Sequence, residues 1–182
     1  MVSVMKLYKD LIKKFPLGSQ AIQTGLLMGT GDLIAQVFIE GKSFRQIDTV
    51  RMTKFGFVGT IFVGPPLRIW YGTMEKYFGS QGKFTALKKV TVDQLLFAPA
   101  FLVVIMTVVS AVQGNSVREI NDKIALDYTD VLISNYKLWP AVQLLNFYMV
   151  PLNYQVLTVQ IVAIFWNTYL SWKMNKTTEC KL

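Results

Sequence analysis

The chain has 182 residues, of which 52% are apolar and 16% are charged, with a mean hydropathy of +0.37 and a net charge of +8. A soluble domain of this size has too small an interior for so much apolar surface, so the composition excludes a soluble enzyme and predicts a protein surrounded by lipid. Basic residues such as Arg51 and Lys88 flank apolar runs, where they reach lipid headgroups, so the positive charge predicts a bilayer as the partner and excludes nucleic acid.

The first predicted element is an amphipathic helix at about 3–15, with apolar side chains toward one side and lysines mostly on the other. We interpret it as a helix that stays at the membrane surface, and a mitochondrial presequence that is removed is the alternative. A first membrane span follows at about 17–39. It contains the small residues Gly25, Gly29 and Gly31, the first two in a GxxxG pattern that predicts close helix packing.

Three more apolar segments follow, at about 52–70, 94–112 and 138–172. The last segment is long for one helix and short for two, so we predict four spans, of which the last is bent or split by proline. A polar stretch at about 114–137 separates the last two segments, and Ser116 and Glu119 are spaced there as a capping box. The prolines predicted to break the helices are Pro65, Pro66, Pro99, Pro140 and Pro151.

The sequence therefore predicts one all-α membrane domain over 1–182, a bundle of about four transmembrane helices with an N-terminal amphipathic helix. Positive charge is concentrated in the N-terminal segment, in the loop after the second span and in the tail. The positive-inside rule then places both termini on one side of the membrane, which in a mitochondrion is the matrix side.

Asp32 is the most informative single residue, because a carboxylate within a span costs about 2.5–3.5 kcal/mol to insert and so faces protein or water. Gln36 lies one turn further on the same helix face. Two interpretations stay open. Asp32 lies in the wall of an aqueous path, or it forms a buried ion pair with a base on a neighbouring helix, such as Arg68.

Amide side chains recur along the last apolar segment, several of them at helical spacing. Uncharged polar groups suit the lining of a path for ions or small solutes, and they equally suit hydrogen bonds that hold a helix bundle together. The residues assigned to a polar path or polar interior are Asp32, Gln36, Arg68, Asp93, Gln94, Gln143, Asn146, Asn153 and Asn167.

No residue pattern in the chain indicates catalysis. There is no histidine, which removes the commonest general base and metal ligand, and the single cysteine, Cys180, has no histidine to activate it. The run from Gly29 to Asp32 matches the GxGD motif of intramembrane aspartyl proteases, but the second aspartate that such chemistry requires is missing. We expect no enzymatic activity, no metal and no cofactor.

Several motifs occur in an order that is typical of a known family. They are Gly31-Asp32-Leu-Ile-Ala-Gln36, Asp48-x-x-Arg51, Asp93-Gln94-x-x-x-Ala98-Pro99, Asn135-Tyr136-x-x-Trp139-Pro140-x-x-Gln143-x-x-Asn146 and Trp166-Asn167-x-Tyr169-Leu170-Ser171. Over nearly its whole length the chain resembles the family of Mpv17 and the twenty-two-kilodalton peroxisomal membrane protein. It looks closest to the family's mitochondrial inner-membrane member, with the peroxisomal membrane as the alternative location.

This resemblance implies a four-span channel of low selectivity with roles in mitochondrial membrane potential, deoxynucleotide supply and mitochondrial DNA maintenance. Arg68 stands where other members carry a small residue or histidine, so the ion preference of the family does not transfer. A structural or scaffolding membrane protein and a solute carrier are the alternative functions. We expect a lipid bilayer and a small solute or ion as partners, while the solute, the gating and a homo-oligomer stay open.

Overall fold

The structure, a computed structural model, describes residues 14–79, 84–149 and 152–179, and these form five long helices and no strand. The helices are α1 (Pro16–Ile39), α2 (49–78), α3 (Thr85–Gln113), α4 (Val117–Met149) and α5 (Leu152–Glu179). The prediction of an all-helical fold is confirmed. The amphipathic helix predicted at about 3–15 lies almost wholly outside the described residues.

Short connections make consecutive helices antiparallel. The first and last helices run parallel, because Gln23 of α1 bonds to Gln160 of α5, and Asp32, further along α1, bonds to Ser171, further along α5. We call the end where α1 begins the basic end, and the opposite end, where α1 meets α2, the ion-pair end. Residues 16 and 179 thus lie at opposite ends of the bundle, whereas loop charge predicted both termini on one side.

The polar stretch at about 114–137 accounts for this difference. Ser116 and Glu119 form the predicted capping box, in which the Ser116 backbone N–H and hydroxyl each donate to the Glu119 carboxylate at 2.8 Å. The helix that they start does not end within the polar stretch but continues to Met149. The polar stretch is therefore the first part of α4, which adds a fifth passage of the chain along the bundle.

Two helices pass prolines by means of a wide π turn. The turn in α2 covers Gly59–Val63 and is followed by Pro65 and Pro66, and the turn in α3 covers Asp93–Phe97 and is followed by Pro99. A proline has no N–H to donate to the carbonyl four residues earlier. For Pro65, Pro66 and Pro99, those carbonyls all lie within the π turns, where the backbone hydrogen bonds already follow a different spacing. The helices therefore continue where the sequence predicted breaks.

The last apolar segment consists of two helices. α4 ends at Met149 and α5 begins at Leu152, while Pro151 itself lies outside the described residues. α4 passes through Pro140 without ending, although a break was predicted there. Packing of α4 between α3 and α5 holds the helix together despite the missing backbone hydrogen bond.

Glycines bring α1 close to two neighbouring helices. A Cβ added to Gly25 would collide with Thr60 and with the Gly56 carbonyl of α2. On another side of α1, a Cβ added to Gly31 would lie 2.6 Å from the Asn167 Cβ of α5 and 2.9 Å from the α5 backbone. The small residues singled out in the sequence thus lie at helix contacts, where a missing side chain permits close approach.

The bundle exposes large apolar side chains and buries several polar ones beside its apolar core. Large apolar side chains point outward, as in Leu26, Leu96 and Phe165, which are 67%, 67% and 69% exposed, while Asp32 and Gln36 are fully buried. Among the described residues, α1 and α3 are long and apolar enough to cross a membrane. An apolar exterior together with buried polar side chains is the pattern expected of helices in lipid.

Candidate functional site

The first polar site lies at the ion-pair end and is centred on Asp32, whose side chain is 0% exposed. Arg51 Nε donates to Asp32 Oδ1 at 2.8 Å, and the Arg51 Nη atoms donate to the Glu40 carboxylate at 2.9 and 2.6 Å. The Ser171 hydroxyl of α5 donates to the same Asp32 oxygen. We call these four residues the ion cluster. Asp32 is thus a buried ion-pair partner, and its base is Arg51 rather than the predicted Arg68.

Gln36 fastens the end of α1 to the start of α2. Its amide nitrogen donates to Asp32 Oδ2 at 2.7 Å and to the Asp48 carbonyl at 3.0 Å, and its amide oxygen accepts the Asp48 N–H at 2.7 Å. Asp48 in turn caps α2 by accepting the Arg51 N–H at 2.8 Å. The amide of Gln36 is therefore occupied by protein partners and is not available to line a path.

Glu40 lies just beyond the end of α1 and completes the charge balance around Arg51. Burial raises the pKa of Glu40, but hydrogen bonds and charge from Arg51 and Lys42 outweigh burial and hold this pKa below its ordinary value of 4.5. The Lys42 ammonium lies 2.9 Å from Glu40 Oε2. Glu40 is therefore ionised at neutral pH and neutralises Arg51 together with Asp32.

Apolar side chains fill the bundle next to the ion cluster. We call this region, together with the ion cluster, the solid half. It contains apolar side chains of α2 to α5 that are exposed by no more than 2%, which are Phe55, Val58, Met106, Val109, Val131 and Met174. Phe55, Val58 and Val109 line a crevice beside Arg51 that has no room for a water molecule.

The second polar site is a cavity of about 290 Å³ that is lined by all five helices. The lining stretches are 20–28 in α1, 63–71 in α2, 93–105 in α3, 135–143 in α4 and 159–170 in α5. Each stretch begins toward the basic end and stops near the middle of its helix or shortly beyond it. We call this region the hollow half.

A hydrogen-bonded chain forms one wall of the cavity. Trp70 Nε1 of α2 and Gln94 Nε2 of α3 each donate to one oxygen of Asp93 at 2.8 Å. Asn135 Nδ2 of α4 donates to Gln94 Oε1 at 2.9 Å, and the Trp70 ring stacks on Phe97 with centroids 4.6 Å apart. Three helices are thus held together while Asp93 and Gln94 remain part of the lining.

Other polar groups of the cavity have no protein partner. The Arg68 guanidinium and the side-chain amides of Gln20, Gln143 and Asn167 line the cavity and make no hydrogen bond or ion pair within the described part of the chain. Asn167 is only 8% exposed. Polar groups of this kind require water or a solute, and the cavity is several times the roughly 30 Å³ that one water occupies.

The residues predicted to form a polar path fall into separate groups. Asp32 and Gln36 do not reach the cavity, because the ion cluster and the Asp48 backbone occupy them. Asn146 is buried outside the cavity lining, and its Oδ1 has no hydrogen-bond partner in the described residues, while the side chain of Asn153 lies outside them. The predicted residues that the structure brings together around the cavity are Arg68, Asp93, Gln94, Gln143 and Asn167.

Sequence reasoning gave no site role to Arg51, Glu40, Ser171 or Asn135. Arg51 was interpreted as a basic residue flanking a span, although it neutralises the most buried carboxylate of the bundle. A signal was present, because Arg51, Asn135 and Ser171 all belong to the motifs that carry the family resemblance. Glu40 lies outside these motifs, so nothing in the sequence pointed to it.

Metal ligands do not gather in either site. Across residues 14–79, 84–149 and 152–179, no three side chains of His, Cys, Asp or Glu form a group that could hold a metal ion. Cys180 lies outside these ranges.

Comparison with known proteins gives one consistent result. The family model described as the Mpv17 / PMP22 family matches residues 110–171. Relatives described as mitochondrial inner membrane protein Mpv17 are 43% identical in Danio rerio and 39% in Homo sapiens, covering 97% and 96% of this chain and 99% of each relative. The Drosophila melanogaster relative of the same description is 41% identical over 85% of this chain and 93% of its own length. No solved structure matches.

The resemblance stated from the motifs and the mitochondrial location are thereby both confirmed, since identity near 40% extends over almost the full length of chain and relatives. The chain belongs to the Mpv17 / PMP22 family and is a protein of the mitochondrial inner membrane.

Proposed function

We propose that the protein forms a gated, water-filled path of low selectivity for ions or small solutes through the mitochondrial inner membrane, which the packed solid half closes in this structure. The cavity of the hollow half carries this proposal, because open amides from α1, α4 and α5 converge on it. In lipid these amides would remain unsatisfied unless water entered. Amide linings solvate small solutes without a strong preference for one charge sign.

We also propose that at least four of the five helices cross the bilayer. All five exceed the roughly 20 residues that a span requires. α1 and α3 satisfy the hydropathy criterion alone, whereas α2, α4 and α5 carry polar residues that they turn toward the ion cluster or the cavity.

A solute carrier is the second candidate, and the one-sided shape of the cavity favours it. A carrier exposes a central site to one side of the membrane while the other side is closed. Here the cavity stops near the middle of the bundle, and the solid half closes the remainder with packed apolar side chains and the ion cluster. Breaking and reforming the pair of Arg51 with Asp32 would be the corresponding switch.

Family resemblance supports a wider role in mitochondrial membrane potential, deoxynucleotide supply and mitochondrial DNA maintenance, and we include these roles in the proposal. We further propose that the protein is not an enzyme, because the polar groups of both sites serve ion pairing, hydrogen bonding or lining. A scaffolding role remains the alternative in which the amides only hold helices together.

Reconstitution tests the proposed path. Purified protein inserted in planar bilayers should give discrete single-channel currents. Currents of this kind should be smaller for Gln143→Leu, which removes an amide from the lining but no protein contact. A carrier would instead give saturable solute uptake into liposomes without unitary currents. Correctly inserted protein that shows neither activity would refute both functions.

A further inference from the structure

We propose that Arg68 forms a binding site for a small anion inside the cavity, a role that deepens the proposed path and rests on it. Arg68 lies on α2 within the cavity lining and makes no ion pair or hydrogen bond with any described residue. The Arg68 side chain is exposed, and a guanidinium without an ion-pair partner attracts a counter-charge from solution. An anion from solution that enters the cavity supplies this counter-charge.

Neutral amides around the same cavity add hydrogen-bond donors. The NH₂ groups of Gln20, Gln143 and Asn167 are free of protein partners in the described residues, and Asn167 is more than nine-tenths buried. A guanidinium presents several N–H donors and no acceptor, and each amide adds two more donors. The guanidinium sets the preference for an anion, because it has no acceptor, and the amides, which suit either charge sign, can turn their NH₂ groups toward the same anion.

Asp93 is the other charged residue in the lining, and its situation differs from that of Arg68. Each of its two oxygens already accepts a hydrogen bond, from Trp70 Nε1 and from Gln94 Nε2, both at 2.8 Å. No contact within 4.0 Å joins Asp93 to Arg68 in the described residues. The Asp93 carboxylate is thus hydrogen-bonded within the cavity wall, whereas the Arg68 guanidinium is available to bind a solute.

The cavity tryptophans provide a test that does not depend on transport. Trp139 and Trp166 line the cavity, whereas Trp70 and Trp172 do not, so a Trp172→Phe background leaves Trp70 as the one tryptophan outside the lining. Fluorescence of this protein in neutral detergent micelles is quenched with acrylamide, which is uncharged, and with iodide, which is an anion, at constant ionic strength. Acrylamide reports water access, and the ratio of iodide to acrylamide quenching reports local positive potential.

Arg68→Gln should lower the iodide quenching constant by about twofold or more, because Arg68 lines the same cavity as Trp139 and Trp166, and a nearby unit charge changes the energy of an iodide ion by about RT or more. The acrylamide constant should stay the same. Arg68→Lys, which keeps the charge, should retain most iodide quenching. Arg45→Gln is the matched control, because Arg45 is an exposed arginine without a described partner at the opposite end, and it should leave both constants unchanged.

The experiment distinguishes failure of the anion site from failure of the water-filled path. Normal acrylamide quenching with an iodide constant that does not respond to Arg68→Gln would refute the anion site and leave the water-filled path standing. Absence of acrylamide quenching at the cavity tryptophans would refute the path itself and the anion site with it.

Discussion

Two sets of polar groups in the bundle, the ion cluster and the open amides of the cavity, are satisfied in opposite ways. In the solid half, Asp32, Gln36 and Arg51 are joined by hydrogen bonds of 2.7–2.8 Å and have partners on every side. In the hollow half, Gln143 and Asn167 point into a cavity without protein partners. An unpaired buried polar group costs roughly 2–7 kcal/mol in an apolar medium, so the hollow half is stable only if water or solute enters. The solid half holds the bundle together, and the hollow half is left for a ligand.

The largest effect should follow from breaking the ion cluster. Arg51→Gln leaves the fully buried Asp32 carboxylate without its base, and loss of one partner of a buried pair costs about 3–5 kcal/mol. We expect a large drop in the thermal unfolding midpoint of purified protein in detergent. The double substitution Asp32→Asn with Arg51→Gln should recover part of this loss. Arg45→Gln, on an exposed arginine near α2, should unfold as the wild type does.

A matched pair of glutamines compares the halves directly. Gln36→Leu removes two donated hydrogen bonds and one accepted bond at 2.7–3.0 Å, which should destabilise the protein by about 2–3 kcal/mol because charged and backbone partners are left unsatisfied. Gln143→Leu removes no described protein contact and should change stability by no more than about 0.5 kcal/mol. Chemical denaturation of both variants measures the difference. Equal losses of stability would show that the halves do not differ as described.

Close packing of α1 against α5 predicts a smaller effect. Gly31→Ala places a Cβ 2.9 Å from the α5 backbone, so the helices must separate, at a cost of about 1–3 kcal/mol. Gly72→Ala is the control, because nothing lies within 4 Å of the added Cβ and alanine favours helix by up to about 1 kcal/mol. Thermal unfolding of the two variants should therefore move in opposite directions. A stabilised Gly31→Ala would contradict the observed contact.

The smallest expected effect is a pH dependence at Glu40. The pKa of Glu40 is held below 4.5 in the folded protein, so its ionised form contributes stability that is present above this value and is lost as pH falls further. Glu40→Gln should remove this part of the acid sensitivity and leave the stability of the variant less dependent on pH below about 4.5. Unfolding midpoints of both proteins between neutral and acidic pH measure the difference. Parallel curves would show that Glu40 does not stabilise through its charge.

Sequence alone identified Asp32 as exceptional, because lipid penalises a carboxylate at any position within a span. It could not identify the partner, since Arg51 is separated from Asp32 by a turn and a helix start, and pairing depends on how α1 and α2 fold back on each other. Small residues predicted the α1 contacts, because close approach is a local requirement of glycine patterns.

The breaks predicted at Pro65, Pro66, Pro99 and Pro140 are not found, for a different reason. A proline removes one hydrogen bond, but whether the helix ends or continues depends on tertiary packing and on nearby π turns, as around Pro99 and Pro140. The cavity likewise depends on which helix faces meet. Nothing in the sequence distinguishes the amides of Gln36 and Gln143. In the structure Gln36 is hydrogen-bonded to protein groups, whereas Gln143 lines the cavity.

Thiol labelling in membranes directly tests the difference in water access between the hollow half and the solid half. Cys180→Ser removes the single native cysteine, and Gln143→Cys or Met106→Cys then places one thiol in the hollow or the solid half. A charged, membrane-impermeant thiol reagent should modify Gln143→Cys rapidly and from one side of the membrane only, while Met106→Cys stays unlabelled until the protein is denatured. Similar labelling at both positions, or none at Gln143→Cys, would contradict a water-filled cavity bounded by a sealed half.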